Sequence, residues 1–143
     1  MMNVFDITEL EDTIVRIVRD DLKVSGSVYS SRPKSAPQKP DYVVARVSGG
    51  VEDMGTYGEC RVVFELFAKN ANNSKNGRRL SVMYRALVEG LPSYTGRYEF
   101  DNHPNVIGDT EDDFGFNCRI VSIKTTIKII QLYGSNTYTR NAG

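Results

Sequence analysis

The sequence contains few of the residues that most often carry catalysis or bind metals. It has no tryptophan, one histidine, His103, and two cysteines, Cys60 and Cys118. One histidine cannot build a histidine-rich metal site, and two cysteines in a chain of 143 residues do not form a disulfide framework. Both cysteines stand in apolar, strand-like runs, which predicts buried thiols, and His103 lies in a polar loop before Pro104. A nucleophilic Cys–His pair is therefore not expected.

The sequence also has no excess of charge and no long apolar run. Its 18 Lys and Arg residues balance its 18 Asp and Glu residues, so no broad electrostatic surface for nucleic acid or an anionic membrane is predicted. No apolar run is long enough to span a bilayer, and the opening stretch, MMNVFDITEL, lacks the basic and apolar regions of a secretory signal. The 40% hydrophobic and 25% charged fractions are typical of one globular domain, residues 1–143, made in the cytoplasm.

Nucleotide-binding and metal-binding motifs are missing as well. The glycines at 49, 50, 55 and 58 do not open a helix, so they form neither a P-loop nor a dinucleotide-binding loop. The acidic run Asp109–Asp113 lacks the ligand spacing of a calcium loop and is interpreted as a solvated loop. The sequence therefore predicts a protein that is not an enzyme and that holds no metal and no cofactor.

Two amphipathic helices are predicted, and the first spans Asp6–Leu22. Asp6 is its expected N-cap, and Glu9, three residues later, is expected to complete a capping box. Apolar residues recur at helical spacing and form one stripe, which predicts that one side of this helix packs on a sheet. The stripe consists of Ile7, Leu10, Ile14, Ile17, Val18 and Leu22.

The second predicted helix spans Ser74–Glu89, with Asn73 or Ser74 as its cap. Gly90 fits the left-handed position that commonly follows a helix. Arg78 and Arg79 lie in the first turns, where positive charge opposes the helix dipole. They are candidate contacts to an acidic partner or a phosphate, and a solvated helix face is the alternative.

Four strands are predicted, at Tyr42–Val47, Glu59–Lys69, Gly96–Phe100 and Phe114–Ile130. Within the last strand, apolar residues change parity at Ile120–Val121, which predicts a β-bulge or a sharp bend.

Apolar residues on the second face of two strands are the predicted subunit contacts. Val63 and Phe67 alternate with polar residues on the face of Glu59–Lys69 that should be wet, and a half-exposed apolar stripe often marks a protein contact. The first strand is a candidate edge for pairing with another subunit. Its contact residues are Tyr42, Val44 and Arg46.

A long segment rich in serine and proline separates the first helix from the first strand. Val24–Pro40, here called the arm, contains five serines, three prolines and the bases Arg32, Lys34 and Lys39. Such a composition predicts an exposed, extended segment that either packs along a neighbouring subunit or is a disordered loop. Arg32 and Lys34 are candidate partner contacts. Residues 132–143 form a polar tail that is expected to be loose.

The element order predicts an α+β fold, a mostly antiparallel sheet with both helices on one face. This order resembles the bacteriophage tail terminator and head–tail connector family over most of residues 5–131. The segments that carry the resemblance are FDITELEDTIVRIVRDDL, YGECRVVFELFAKN, SKNGRRLSVMYRALVEGL and FGFNCRIVSIKTTIKII. The arm and the polar tail depart from the family pattern.

The resemblance implies a structural protein of the virion that forms a homo-oligomeric ring in the neck or at the end of the tail tube. The ring would join head and tail or terminate the tail, and its neighbours would be portal, connector or tail proteins. DNA would pass through its lumen, and zero net charge suits a channel that should not retain DNA. Synthesis in the bacterial cytoplasm and no membrane contact are implied. The alternatives are a small-ligand-binding or enzymatic α+β domain, and an adaptor protein of a mobile element.

Overall fold

The structure, a computed structural model, describes residues 5–35, 37–72, 74–111 and 114–128. The predicted polar tail, 132–143, and the end of the last predicted strand lie outside the described residues. In those described, two α-helices and a six-stranded mixed sheet confirm the α+β prediction.

The first helix, α1, spans Ile7–Arg16 and begins at the predicted cap. The Asp6 carboxylate accepts hydrogen bonds from the backbone N–H groups of Thr8 and Glu9, at 3.0 and 3.3 Å. This satisfies N–H groups that have no partner within the helix. Glu9, expected to complete a capping box, instead accepts a 2.8 Å hydrogen bond from Arg97. The helix start is therefore fixed by Asp6, while Glu9 links the helix to the chain before the fourth strand.

The helix continues into a π-helical turn, Ile17–Asp21, so the helical region extends nearly as far as predicted. Lys23 then adopts a positive φ of 52°, and Val24 N–H donates to the Val18 carbonyl at 3.0 Å. This wider turn ends the helix and directs the chain into the arm.

The six strands form one sheet in which all pairs are antiparallel except β1 with β2. The strands are β1 (Val28–Tyr29), β2 (Asp41–Asp53), β3 (Tyr57–Lys69), β4 (Tyr98–Phe100), β5 (Asn105–Glu111) and β6 (Phe116–Lys128). Their order is β1-β2-β3-β6-β4. β5 pairs with the same side of β6 as β4 does, but nearer to the start of β6. Residues 105–111, expected in a loop, therefore form a strand at the sheet edge.

Both helices pack on one face of this sheet, here called the helix face. Its residues are Val43, Ala45, Val62, Phe64, Leu66, Val121, Ile123 and Ile127. They form one buried cluster with Leu10 and Ile14 of α1 and with Leu80, Met83 and Leu87 of the second helix. Burying each large apolar side chain contributes roughly 1.5–3 kcal/mol, so this layer is the main source of stability.

The predicted bulge within the last strand is wrong. β6 pairs with β3 in a single unbroken register from Phe116 to Lys128. The parity change arises because β6 is buried on both faces. Phe116 and Cys118 point to one side of the sheet, and Val121 and Ile123 point to the other.

The irregularity at this point lies in the neighbouring strand instead. Val106 of β5 pairs with Val121, and Gly108 pairs with Ile120, which leaves Ile107 as an extra residue. Gly108 has a φ of 130°, a backbone conformation that residues other than glycine rarely adopt. The edge strand thus carries the bulge, and the central strand stays regular.

The second helix, α2, spans Gly77–Gly90, and Asn76 is its N-cap, later in the chain than predicted. Gly90 is the last helical residue, with a φ of −84°, so it does not take the left-handed conformation that was expected. A Cβ atom added at Gly90 would collide with the Leu22 side chain. Glycine therefore permits the close approach of the two helical segments.

Gly90→Ala and Gly77→Ala should change stability in opposite directions. A Cβ at Gly77 meets nothing within 4 Å, so alanine should raise the free energy of unfolding by about 0.4–1 kcal/mol. At Gly90 the new methyl group would force Leu22 out of its rotamer, which should lower the free energy of unfolding by about 1–2 kcal/mol. Urea denaturation of both variants tests this, and equal gains at the two sites would contradict it.

Candidate subunit-contact surfaces

The two residues predicted to form an exposed stripe are buried within a single chain. Val63 is 7% exposed and Phe67 is 0% exposed, so the prediction that they are available to another subunit is wrong. They do lie on the sheet face opposite the helices, as the alternation of β3 implies. The alternation of apolar and polar residues along β3 identifies the residues that share a face of the sheet. It does not reveal whether another segment of the chain covers that face.

The cover comes from the arm, which packs on its own sheet. Val28 pairs with Val43 on the helix face, and the next residue, Tyr29, turns towards the opposite face. The Tyr29 ring meets the ring of Tyr42 edge-on, with centroids 6.0 Å apart. Beyond Tyr29 the Arg32 guanidinium reaches the middle of β3. The described part of the arm is therefore a third layer.

The face under the arm, here called the arm face, is apolar at one end. Its buried residues there are Tyr42, Val44, Phe67, Phe116 and Cys118. The rings of Tyr42 and Phe67 stack at 4.2 Å with planes 5° apart, and Phe116 meets Tyr42 edge-on at 5.2 Å. Aromatic pairs in these arrangements contribute about 0.5–1.5 kcal/mol beyond their burial. Tyr42 and Val44, predicted as contacts at an exposed strand, are thus core residues of this face.

A buried carboxylate stands beside this apolar cluster. Glu65 is only 3% exposed, and it accepts hydrogen bonds from Nε and Nη2 of Arg32 at 3.0 and 2.9 Å. Arg46 Nη2 lies 3.5 Å from the same carboxylate. The Arg32 guanidinium also stands 5.4 Å from the centre of the Phe67 ring. Two predicted partner contacts, Arg32 and Arg46, are therefore engaged by Glu65 in this structure.

A second carboxylate fixes the base of the arm. Asp41, at the start of β2, accepts hydrogen bonds from Ser25 Oγ at 2.6 Å and from Arg79 Nε at 2.7 Å. Arg79 Nη2 also donates to the Val24 carbonyl at 3.3 Å. Arg79 thus joins α2 to both ends of the arm. Arg79 therefore has a structural role within the chain, and its predicted contact to an acidic partner or a phosphate stays a prediction.

Two of the predicted basic contacts remain exposed. Lys34 lies in the arm, beside an open hollow of about 530 Å³ between the arm and α1. Arg78 lies on the outer side of α2. Their role as partner contacts stays a prediction.

In the acidic run predicted as a solvated loop, Asp109 and Glu111 belong to β5, and Asp109 forms two ion pairs. Asp109 accepts hydrogen bonds from Arg119 Nε at 3.0 Å and from Lys75 Nζ at 2.9 Å. The hydrogen bond with Arg119, and after it the one with Lys75, holds the pKa of Asp109 below its usual value against the effect of burial. Glu111 accepts a 3.3 Å hydrogen bond from Asn70. Residues 112 and 113 lie outside the described residues.

His103 is exposed to solvent, whereas Cys60 is buried. The His103 ring is exposed and contacts the Asp101 carboxylate at 3.2 Å, an interaction that lowers the pKa of Asp101. Burial raises the pKa of the Cys60 thiol to about 11, which keeps it protonated at neutral pH. Among residues 5–35, 37–72, 74–111 and 114–128, no group of three His, Cys, Asp or Glu residues is placed to hold a metal ion.

Two further hollows on the described surface are open rather than deep. One of about 380 Å³ lies between β4 and β6, with Glu99, Asp101 and Lys124 in its lining. Another of about 310 Å³ lies beside the irregular part of β2, where Glu52, Glu59 and Arg61 gather.

The sheet has two edges that no described strand covers. The outer edge of β5 is exposed along the whole strand, and it carries the apolar residues Val106 and Ile107. At the other edge, β1 covers β2 only at Val43 and Val44. Beyond that point the Val47 N–H donates to the Glu11 carboxylate at 2.8 Å. The two edges differ in sequence and in the side chains that flank them.

No protein-family model matches the chain, and no curated protein matches it in sequence. Any assignment must therefore rest on the residues and on the fold. Within the part of the chain that the structure describes, no helix is long and apolar enough to cross a membrane.

Two features of these surfaces were missed from the sequence, although each left a signal. Glu65 is the one charged residue in the run VVFELFA, and an acid inside such a run needs a cation nearby. The pair Val106–Ile107 in a polar stretch is a weak strand signal.

Arg32→Ala should destabilise the protein more than Glu65→Gln. Removing Arg32 leaves the Glu65 carboxylate buried, with Arg46 as its nearest cation. We expect a loss of about 2 kcal/mol, between the values for surface and buried ion pairs, because Arg32 is itself 54% exposed. Glu65→Gln removes the buried charge and releases Arg32 into water, so it should cost about 1 kcal/mol or less. Chemical denaturation at neutral pH measures both, and the reverse order would contradict this account of the pair.

Asp109→Asn should remove stability at neutral pH and have a smaller effect in acid. Because the folded pKa of Asp109 lies below the ordinary value of 3.8, its ion pairs stabilise the protein above that value. That contribution is lost as the pH falls through the folded pKa. Wild type should therefore be more stable than the variant at about pH 7, and the difference should be smaller at about pH 3. A difference that is the same at both pH values would show that the carboxylate charge is not involved.

Proposed function

We propose that this protein is a structural subunit that assembles with copies of itself into a ring of the bacteriophage neck or tail end. In this role it would join head and tail or terminate the tail tube. The observation that supports self-assembly is the pair of unlike open sheet edges, one of which exposes adjacent apolar residues. The virion location is supported by the resemblance in element order and by the α+β architecture that the resemblance implies.

Unlike edges are what a ring requires. A ring forms when one surface of each subunit binds a different surface of the next, with a rotation that closes. β5 extends over seven residues, about 23 Å at ~3.3 Å per residue. The open part of β2, Arg46–Asp53, is of similar length. Pairing β5 of one copy with β2 of the next would satisfy backbone groups that face solvent in the single chain.

Exposed apolar residues at the β5 edge favour a protein partner. Ile107 is 61% exposed and Val106 is 44% exposed, and both belong to a strand whose outer side has no neighbour among the described residues. Burying two such side chains would contribute several kcal/mol to an interface. We therefore propose this edge as the contact surface, in place of Val63 and Phe67, which are buried.

Ile107→Lys should weaken self-association, and Val82→Lys should leave it unchanged. Both residues are exposed aliphatic side chains, with Val82 of α2 52% exposed, so neither change should alter the free energy of unfolding by more than about 0.5 kcal/mol. A lysine at a sheet edge opposes strand pairing, and we expect at least a tenfold weaker self-association at Ile107 only. Sedimentation velocity over a range of concentrations and negative-stain imaging of rings provide the measurement.

Two outcomes would contradict the proposal. One is a wild-type chain that remains monomeric up to about 1 mM, the weakest association that such an interface would give. The other is equal weakening by both lysine variants. A rise in melting temperature with a small molecule, or a one-to-one complex with an unrelated protein, would support the two alternative functions.

A further inference from the structure

We propose that the arm is exchangeable, so that residues 30–39 of one copy bind the arm face of a second copy and Arg32 pairs with Glu65 of the partner subunit. This inference concerns the sheet face and not the sheet edges, and it does not depend on the proposed ring.

The crossing segment is separable from the rest of the fold. No described residue between Tyr29 and Asp41 belongs to a helix or a strand. Prolines at 33, 37 and 40 remove backbone donors from this segment, which limits the hydrogen bonds it can make to the sheet. Its anchor is Arg32, which is half-exposed yet makes two hydrogen bonds to Glu65 and lies over Phe67. Among the described residues of this segment, Arg32 is thus the side chain whose ion pair holds it to the sheet, and its release would loosen the segment.

The sheet surface below the segment needs a covering segment that is both apolar and positively charged. Lifting the arm would expose Tyr42 and Phe67 together with the Glu65 carboxylate, which combines apolar surface with a buried negative charge. The arm complements both, since Val28–Pro40 contains Arg32, Lys34 and Lys39 and no acidic residue. A second copy carries the same segment, so it can reproduce every contact that the first copy gives up. Exchange of identical elements is a low-cost route to dimers for this reason.

The length of the segment sets the geometry of the exchange. Both of its ends are held, by the hydrogen bond of Val43 N–H to the Ser27 carbonyl and that of Lys69 N–H to the Pro40 carbonyl, each 2.9 Å. The exchanged piece is therefore a loop, and half of it, about five residues, reaches roughly 17 Å. Stacked sheets lie about 10 Å apart. Two copies that face each other through their arm faces are within reach, related by a two-fold axis.

The test uses two charge-reversed chains, Arg32→Glu and Glu65→Arg, each also carrying Ile107→Lys to suppress edge contacts. Within either chain, residues 32 and 65 have like charges, so the arm is repelled from its own sheet. In a mixture, each arm meets an opposite charge only on the other chain. We expect the mixture to form a heterodimer at least tenfold tighter than either homodimer, measured by native mass spectrometry and sedimentation. The double reversal in one chain is the control, because its own arm and sheet again carry opposite charges, and it should self-associate no more than a wild-type chain with Ile107→Lys.

A mixture that stays monomeric, while the double-reversal control folds, would overturn the proposal. If either single reversal fails to fold, a labelled peptide of residues 28–40 and the full-length Arg32→Ala chain decide the question. The peptide should bind this chain at least tenfold more tightly than a peptide of the same sequence with Arg32→Ala. Equal binding of the two peptides, or none, would also overturn the proposal.

Discussion

The burial of one carboxylate organises the second face of the sheet. Glu65 stands in the central part of the sheet with apolar neighbours, and a charge in that position is unstable unless cations and hydrogen bonds accompany it. Arg46 comes from the adjacent strand, while Arg32 is brought in by the arm. The requirement to neutralise Glu65 therefore holds a proline-rich segment against the sheet, and that segment in turn covers the aromatic cluster.

A sheet that is apolar on both faces needs two covers, and this chain supplies them by different means. On the helix face, two amphipathic helices bury a continuous apolar cluster. On the arm face, the cover is a segment without regular structure that is anchored by polar contacts. Both faces are covered within the closed single chain, so the open parts of the described sheet are its edges, where β5 and the outer part of β2 have no described strand beside them.

Local signals in the sequence predicted the helices, the long strands and the α+β class, because capping and periodicity depend on neighbouring residues. The errors arose where distant residues decide the outcome. Alternation placed Val63 and Phe67 on one face correctly, but Phe67 is covered by Arg32, which is 35 positions away along the chain. In the same way, the parity change in β6 reflects covers on both faces rather than a bulge. Gly90 was predicted as a helix cap, yet its small size matters because the Leu22 side chain lies close to it. Leu22 is distant in the sequence, so a local pattern does not reveal this contact.

The bond between the Glu11 carboxylate and the Val47 N–H has a kinetic consequence. An incoming strand that adds to β2 has to displace this side chain before its own carbonyl reaches the amide, so the first contact gains little until several ladder bonds have formed. In the proposed assembly, growth by strand addition at this edge would then be limited by nucleation. Chains would accumulate without spontaneous polymerisation, and a pre-existing surface that holds one copy in place would accelerate the addition of the next.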